Sequence, residues 1–152
     1  MELFKNLSPN SRFALNVLIP LTYFIIVSIT YFGPKNFGFG FPAIVTPALS
    51  VGFCGLMLWM VSMMNLGSSF AVLPGSKQLV NKGVYKYIRH PMYCGINITL
   101  GGLIIASGSL LGLFVYIVLA IPLNVVRSRW EEKALLEEFG ESYVEYKRKT
   151  WF

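Results

Sequence analysis

Three long stretches without a charged residue constrain the fold of this chain more than any other feature. They cover residues 13–34, 43–66 and 91–126. Because an α-helix rises about 1.5 Å per residue, each of the first two can cross the roughly 30 Å hydrocarbon core of a bilayer. Only 13% of the residues are charged, against about 25% in soluble domains. The sequence therefore predicts an integral membrane protein.

The third stretch is too long for one span, and the sequence Ser-Gly-Ser at 107–109 interrupts it. Turn-forming residues in the middle of an apolar run predict a tight hairpin of two helices. We therefore expect an all-α membrane protein with about four transmembrane helices, the last two forming the hairpin. The predicted spans are residues 13–33, 43–66, 92–107 and 109–126.

The distribution of Lys and Arg predicts the orientation of these spans. The chain has 13 Lys and Arg, seven acidic residues and a net charge of +6. With a cytoplasmic N-terminus, every Lys and Arg except Lys35 lies on the cytoplasmic side, as the positive-inside rule requires. We expect a multi-pass protein with both termini cytoplasmic. Its excess of cations fits anionic membrane lipid better than nucleic acid, and no nucleic-acid partner is expected.

We interpret residues 1–152 as one membrane domain that ends in a cytoplasmic helical segment, residues 127–152. Apolar residues recur on one helical side of this segment, which predicts an amphipathic helix. Gly140 is expected to end that helix. The final KRKTWF combines basic and aromatic residues, a pattern typical of an anchor at the membrane interface.

Several kinds of site are disfavoured by what the sequence lacks. Cys54 and Cys94 have neither CxxC nor Cys/His ligand spacing, so we interpret them as small buried hydrophobic residues. One histidine and no aspartate disfavour a hydrolytic triad or a zinc centre, and no metal is expected. Asn97 and Asn124 are polar at membrane depth, so they either line a site or join helices by hydrogen bonds.

The hairpin also predicts that two charged segments meet at one membrane surface. GVYKYIRHPMYCG (residues 83–95) leads into the hairpin, and RSRWEE (residues 127–132) follows it. Mixed charges and tyrosines at such a mouth favour a pocket for a polar ligand, while charges that only reach for lipid headgroups are the alternative. Cations for a carboxylate, glutamates for an ammonium group and tyrosines for a ring suit a zwitterionic, adenosine-bearing ligand.

These two segments, in this order around a charge-free hairpin, resemble the C-terminal signature of the isoprenylcysteine carboxyl methyltransferase family. That family is related to the phospholipid N-methyltransferases, and the resemblance covers Leu66 to about Lys149. It implies S-adenosylmethionine as the cofactor at the cytoplasmic membrane edge, and a lipophilic small-molecule acceptor that arrives from the bilayer. The residues that the resemblance assigns to cofactor binding are Tyr87, His90, Pro91, Tyr93, Gly95, Glu131 and Glu132.

The resemblance also implies that Arg129, together with Arg127, orients the acceptor, and that Glu131 belongs to the catalytic centre. Methyl transfer from a sulfonium is an in-line displacement that needs alignment and a dry site. The expected function is methyl transfer to the carboxylate or thiol of a prenylcysteine-like or other small lipophilic molecule. The alternatives are a phospholipid amine N-methyltransferase, a sterol-reductase-like NADPH enzyme and a non-enzymatic lipid-binding protein. The sequence does not predict the oligomeric state.

Overall fold

The computed structural model describes residues 9–37, 41–67 and 79–151, and the regular secondary structure in these ranges is helical. Lys5, Lys77 and Phe152, on which the predicted orientation and anchor partly depend, lie outside these ranges. The helices are α1 (Pro9–Phe32), α2 (Pro42–Leu66), a 3₁₀ turn (Gly83–Lys86), α3 (Pro91–Ser107), α4 (Leu110–Val115), a π-helical turn (Tyr116–Ala120), α5 (Ile121–Phe139) and α6 (Glu141–Lys149).

The predicted hairpin turn lies between α3 and α4, at Gly108. This glycine has a left-handed backbone (φ 66°) and ends α3, a conformation that glycine adopts without the steric cost of a Cβ atom. The Oγ of Ser109 accepts a hydrogen bond from the backbone N of Gly112 at 3.1 Å and so caps α4. The backbone N of Asn36 donates to the carbonyl oxygen of Gly108 at 2.6 Å. The loop after α1 therefore lies at the same end of the helices as the hairpin turn.

The second helix of the hairpin is longer than the predicted span 109–126. It runs through the π-helical turn from Leu110 to Phe139, and its apolar part precedes Arg127. The boundary that we expected at residue 127, between the last span and a cytoplasmic segment, lies inside this continuous helix and stays a prediction. Helix α5 continues past the apolar part, and Gly140 (φ 49°) ends it, as predicted.

Large apolar side chains cover the outside of the helices. In the described part of the chain, Pro42–Leu66 and Leu110–Phe139 are long and apolar enough to cross a membrane, and most residues of both are exposed. Phe24, Phe53 and Phe114 on three different helices are 68%, 60% and 64% exposed. A helix from the core of a soluble protein would bury such side chains, whereas lipid-facing helices expose them. The structure thus agrees with an all-α membrane protein, and four spans stay a prediction.

Glycines allow α2 and α3 to pack with their backbones in close contact. A Cβ atom on Gly95 would lie 2.6 Å from the backbone N of Trp59, and one on Gly102 would lie 2.6 Å from the carbonyl oxygen of Ala48. Such distances leave no room for any side chain, as in other membrane helix pairs that pack through small residues. The close α2–α3 pair therefore holds the N-terminal end of α3, where the candidate site begins.

Candidate functional site

The two charged segments meet at the open end of the hairpin. His90 Nε2 lies 3.3 Å from Glu132 Oε1, and His90 Nδ1 lies 3.8 Å from Glu131 Oε2. His90 precedes Pro91, which favours an extended backbone at the histidine and then starts α3. The imidazole is only 5% exposed. Its ring is therefore held between two carboxylates of α5 at the entrance of the hairpin.

Glu132 is the centre of an ion-pair network. Its Oε1 accepts a hydrogen bond from Arg89 Nε at 3.1 Å, and its Oε2 accepts one from Lys147 Nζ at 2.7 Å. Burial alone would raise the pKa of Glu132, but hydrogen bonding and charge from Lys147, followed by His90, outweigh burial and lower that pKa. Both carboxylate oxygens of Glu132 thus have protein partners.

Arg89 joins this network to the C-terminal end of α6. Its Nη1 donates to the carbonyl oxygens of Lys147 and Thr150, both at 3.0 Å, where a helix end leaves carbonyls without partners. The backbone N of Arg89 donates to the carbonyl oxygen of Trp151, and the backbone N of Trp151 donates to that of Tyr87, both at 2.8 Å. The end of the chain therefore pairs with the segment that carries His90.

A tyrosine hydrogen bond adds a second connection between α6 and this segment. The hydroxyl of Tyr146 donates to the carbonyl oxygen of Tyr85 at 2.7 Å. Burial is the main cause that raises the pKa of Tyr146 to about 12, with Arg89 lowering it and Glu131 raising it. The hydroxyl therefore keeps its proton at neutral pH and remains a donor.

Arg127 and Glu131 lie one helical turn apart on the face of α5 that meets α3. The guanidinium carbon of Arg127 lies 5.3 Å from the centre of the Tyr93 ring, within cation–π distance. Arg127 and Tyr93 are both buried, and Glu131 is partly exposed. The ring of Tyr93 also lies 5.7 Å from that of His90, centre to centre. A buried cation, a carboxylate and two rings thus converge at this mouth, which we call the rim cluster: His90, Tyr93, Arg127 and Glu131.

A polar network lies deeper in the hairpin. Asn124 Nδ2 donates to Asn97 Oδ1 at 3.0 Å, the Tyr116 hydroxyl donates to the carbonyl oxygen of Asn97 at 3.2 Å, and the Tyr23 hydroxyl contacts Asn124 Oδ1. Tyr116 begins the π-helical turn, a distortion that is frequent at functional sites. Of the two roles left open for Asn97 and Asn124, hydrogen bonding between helices is the one that the structure shows.

Three of the residues assigned by resemblance lie apart from the rim cluster. The Tyr87 side chain is 64% exposed, Gly95 packs on the backbone of α2, and Arg129 is exposed on another face of α5. Residues two positions apart on a helix differ by about 200° at 3.6 residues per turn, so Arg127 and Arg129 point to opposite sides of α5. Among the residues that the structure describes, no group of three or more His, Cys, Asp or Glu side chains could hold a metal ion.

Sequence reasoning missed the pairing of the chain end with residues 87–89. Thr150 and Trp151 take part through their backbone groups. A backbone hydrogen bond requires no particular side chain, so the sequence offers no signal for this contact.

Comparison with known proteins places this arrangement in a family. A model of the phospholipid methyltransferase family matches residues 44–142, which include most of α2, the hairpin and the whole rim cluster. A protein-S-isoprenylcysteine O-methyltransferase of Schizosaccharomyces pombe is 31% identical over 117 residues, covering 74% of this chain and 50% of that protein. The enzyme of the same name from Saccharomyces cerevisiae is 34% identical over 95 residues, covering 59% of this chain and 40% of that protein.

A third such enzyme, from Dictyostelium discoideum, is 26% identical over 114 residues, covering 64% of this chain and 43% of that protein. The chain spans half or less of the length of these curated relatives, and no solved structure matches it. The resemblance drawn from residues 83–95 and 127–132 is thus confirmed, and the chain belongs to the phospholipid methyltransferase family, with isoprenylcysteine carboxyl methyltransferases among its relatives.

Proposed function

We propose that this chain is an integral-membrane methyltransferase that uses S-adenosylmethionine to methylate the carboxylate of a prenylcysteine-like molecule, or the carboxylate or thiol of another small lipophilic molecule. The observation that carries the proposal is the rim cluster, since it places a buried cation beside a partly exposed carboxylate at the end of an apolar hairpin. The family match and the names of the three relatives support the reaction class.

The residues of the rim cluster fit the chemistry of the cofactor. Glu131 lies 3.8 Å from His90 and is hydrogen-bonded to the side chain of Tyr93. A carboxylate has about four acceptor positions, so Glu131 can still accept hydrogen bonds from an ammonium group or ribose hydroxyls. Tyr93 and His90 offer ring surfaces for an adenine or a sulfonium. Glu132 fits this role less well because protein partners already occupy both of its oxygens.

We assign acceptor orientation to Arg127. It is buried at the end of the cluster that adjoins the apolar part of the hairpin, one turn after Asn124, where a lipophilic acceptor would enter. A guanidinium can hold a carboxylate with two parallel hydrogen bonds. Arg129 could orient an acceptor only if the acceptor bound on the side of α5 opposite to the rim cluster.

S-adenosylmethionine, when bound, supplies a methyl group on a positively charged sulfur. A carboxylate or thiolate acceptor is already a nucleophile, so no residue has to remove a proton from it. The imidazole nitrogens of His90 face Glu131 and Glu132, an arrangement that suits positioning better than base catalysis. The work of the protein is then alignment of the two substrates and exclusion of water by the apolar walls of the hairpin.

The proposed topology is four spans with both termini on the cytoplasmic side. The contact between Asn36 and Gly108 supports it, because it puts neighbouring Lys35 at the hairpin turn, away from the rim cluster. Single cysteines at positions 35 and 133, in a chain with Cys54 and Cys94 replaced by serine, should label from opposite sides. Labelling of both from one side would contradict this topology.

Binding and turnover test the proposed activity directly. Calorimetry on the purified chain should detect S-adenosylhomocysteine, and His90→Ala should weaken that binding. Labelled methyl groups should transfer to a prenylated cysteine with a free carboxylate and not to the same molecule with a carboxamide. Transfer only to an amine phospholipid would replace this acceptor by that of the phospholipid N-methyltransferases.

A further inference from the structure

A groove lined by basic and apolar residues lies on the other side of α5, between α5 and α6. It has a volume of about 520 Å³. The rim cluster uses the face of α5 that carries Arg127 and Glu131, whereas the groove uses the face that carries Arg129 and Lys133. We call it the basic groove. Its lining residues include Arg129, Lys133, Leu136, Tyr143, Lys147 and Arg148.

The charge of the basic groove is strongly positive. Four of its lining residues are cations, and its one acidic residue, Glu132, is already paired with Arg89, His90 and Lys147. Within the described residues, Arg129 and Arg148 have no ion-pair partner. Two guanidiniums that line one groove and have no ion-pair partner among the described residues are suited to bind an anion, and their forked donors match the oxygens of a phosphate.

A second observation comes from Tyr143, which is one of the residues that line the groove. The side chain is only 2% exposed, and within the described residues its hydroxyl has no hydrogen-bond partner. Buried hydroxyl groups are nearly always paired, so an unpaired one marks a place where a ligand or water completes the structure. An oxygen acceptor in the basic groove would provide that partner.

The surroundings of the groove indicate which anion it takes. Leu136 lines the groove and is 47% exposed, and Trp130, one turn earlier on α5, is 42% exposed. Exposed leucine and tryptophan beside cations are typical of protein surfaces that lie among lipid headgroups and the first part of the acyl chains. A soluble anion would gain nothing from these apolar side chains, whereas a lipid uses both.

We propose that the basic groove binds the phosphate headgroup of an anionic membrane lipid and so fixes α6 against the bilayer. This inference rests on the membrane placement of the chain and goes beyond methyl transfer. It predicts a discrete site in addition to the general attraction of basic proteins to anionic membranes. A discrete site depends on particular cations, whereas general attraction depends on their number.

The test uses the full chain in a neutral detergent and follows thermal unfolding during titration with phosphatidylglycerol. Binding to the folded state should raise the Tm with lipid concentration. Arg148→Gln should raise the half-saturating concentration about tenfold, because it removes charge-assisted hydrogen bonds. The matched control is Lys149→Gln, the next residue on α6, whose amine pairs with Glu145; it should change that concentration less than about twofold.

Tyr143→Phe provides a second, independent variant. It should weaken the lipid effect about threefold or more, since it removes one hydrogen-bond donor. The Tm without lipid should not fall, because the native hydroxyl has no protein partner among the described residues. A purely structural tyrosine would give the opposite pattern, with a lower Tm and an unchanged lipid response.

Three outcomes would overturn the proposal. Equal losses for Arg148→Gln and Lys149→Gln would leave only diffuse electrostatic attraction. Equal stabilisation by phosphatidylcholine would exclude selection for a net negative headgroup. Equal stabilisation by inorganic phosphate at the same concentration would assign the groove to the free ion. None of these measurements involves a methyl donor, so they are independent of the proposed enzymatic activity.

Discussion

The imidazole Nε2 of His90 lies 3.3 Å from Oε1 of Glu132, although 42 residues separate them in the chain. The same carboxylate oxygen accepts a hydrogen bond from Arg89. Glu132 is therefore placed to position the imidazole, and we propose that its neighbour Glu131, 3.8 Å from the other imidazole nitrogen, binds the ligand. Glu131 and Glu132 are adjacent and chemically identical in the sequence, but they have different roles in the proposed enzyme.

This division predicts different effects for the two charge-removing substitutions. Glu131→Gln should weaken S-adenosylhomocysteine binding about tenfold or more and change the Tm little, because the lost bonds are to the ligand. Glu132→Gln should instead destabilise the fold by about 1–3 kcal/mol, because it breaks the network around Arg89 and Lys147. Calorimetry and thermal unfolding separate the two effects.

Glu138→Gln is the matched control, since this glutamate is exposed on the same helix. It should change neither binding nor Tm noticeably. If Glu131→Gln lowers the Tm as much as Glu132→Gln and leaves binding intact, the proposed division is wrong.

Stability should also depend on pH through Glu132. Its pKa in the folded chain lies below the ordinary value of 4.5, so the folded state favours the ionised carboxylate. The resulting stabilisation is fully present above the unfolded pKa and is lost as the pH falls through the folded pKa. The Tm difference between the native chain and Glu132→Gln should therefore be constant from about pH 6 to 8 and shrink below about pH 4.5.

Lys147→Gln checks the cause of this dependence. Lys147 is the main partner that lowers the pKa of Glu132, so its removal should reduce the part of the stability that is lost in acid. An acid transition that is identical in the native chain and in Lys147→Gln would assign the effect to another carboxylate.

The two arginines of the segment RSRWEE, Arg127 and Arg129, should differ in their effect on catalysis. Arg127→Lys should lower kcat/KM for the acceptor about 10- to 100-fold, because an ammonium cannot replace the forked guanidinium beside Tyr93. Arg129→Lys should lower it less than about threefold, since this residue is exposed on another face of α5. Initial rates at varied acceptor concentration measure both. A larger loss of kcat/KM for Arg129→Lys than for Arg127→Lys would instead assign acceptor binding to the basic groove.

The meeting of the hairpin ends could be predicted because it depends only on topology. A charge-free run with Ser-Gly-Ser in its middle returns the chain to the surface it left, so residues 89–90 and 127–132 must approach. Which face of α5 each charge occupies could not be predicted. It depends on the helical phase of α5 relative to α3, and the π-helical turn Tyr116–Ala120 shifts this phase.

Gly95 shows a second limit of sequence reasoning. A glycine in a ligand-binding segment and a glycine at a close helix contact look identical in a sequence, because both are defined by the missing Cβ. Its assignment to cofactor binding came from resemblance, and the structure places it against Trp59 of α2. Only the three-dimensional neighbour distinguishes the two roles.

The position of Gly95 leads to a prediction about stability. Gly95→Ala places a Cβ 2.6 Å from a backbone nitrogen of α2, and the two helices must separate to relieve this clash. We expect a loss of about 1–3 kcal/mol, typical of overpacking in a well-packed core. Gly101→Ala on the same helix is the control, because its Cβ would have nothing within 4 Å. Equal Tm values for the two variants would contradict the close packing of α2 and α3.

The backbone pairing of the chain end with residues 87–89 should stabilise the segment that carries His90. Trp151→Pro removes the N–H that donates to Tyr87. We expect faster hydrogen exchange at the amide of Arg89, which donates to the Trp151 carbonyl, and about threefold or more weaker S-adenosylhomocysteine binding. Trp151→Ala keeps the backbone N–H and removes only a side chain that is 83% exposed, so it should retain both native values. If Trp151→Ala weakens binding as much as Trp151→Pro, the indole and not the backbone pairing supports the site.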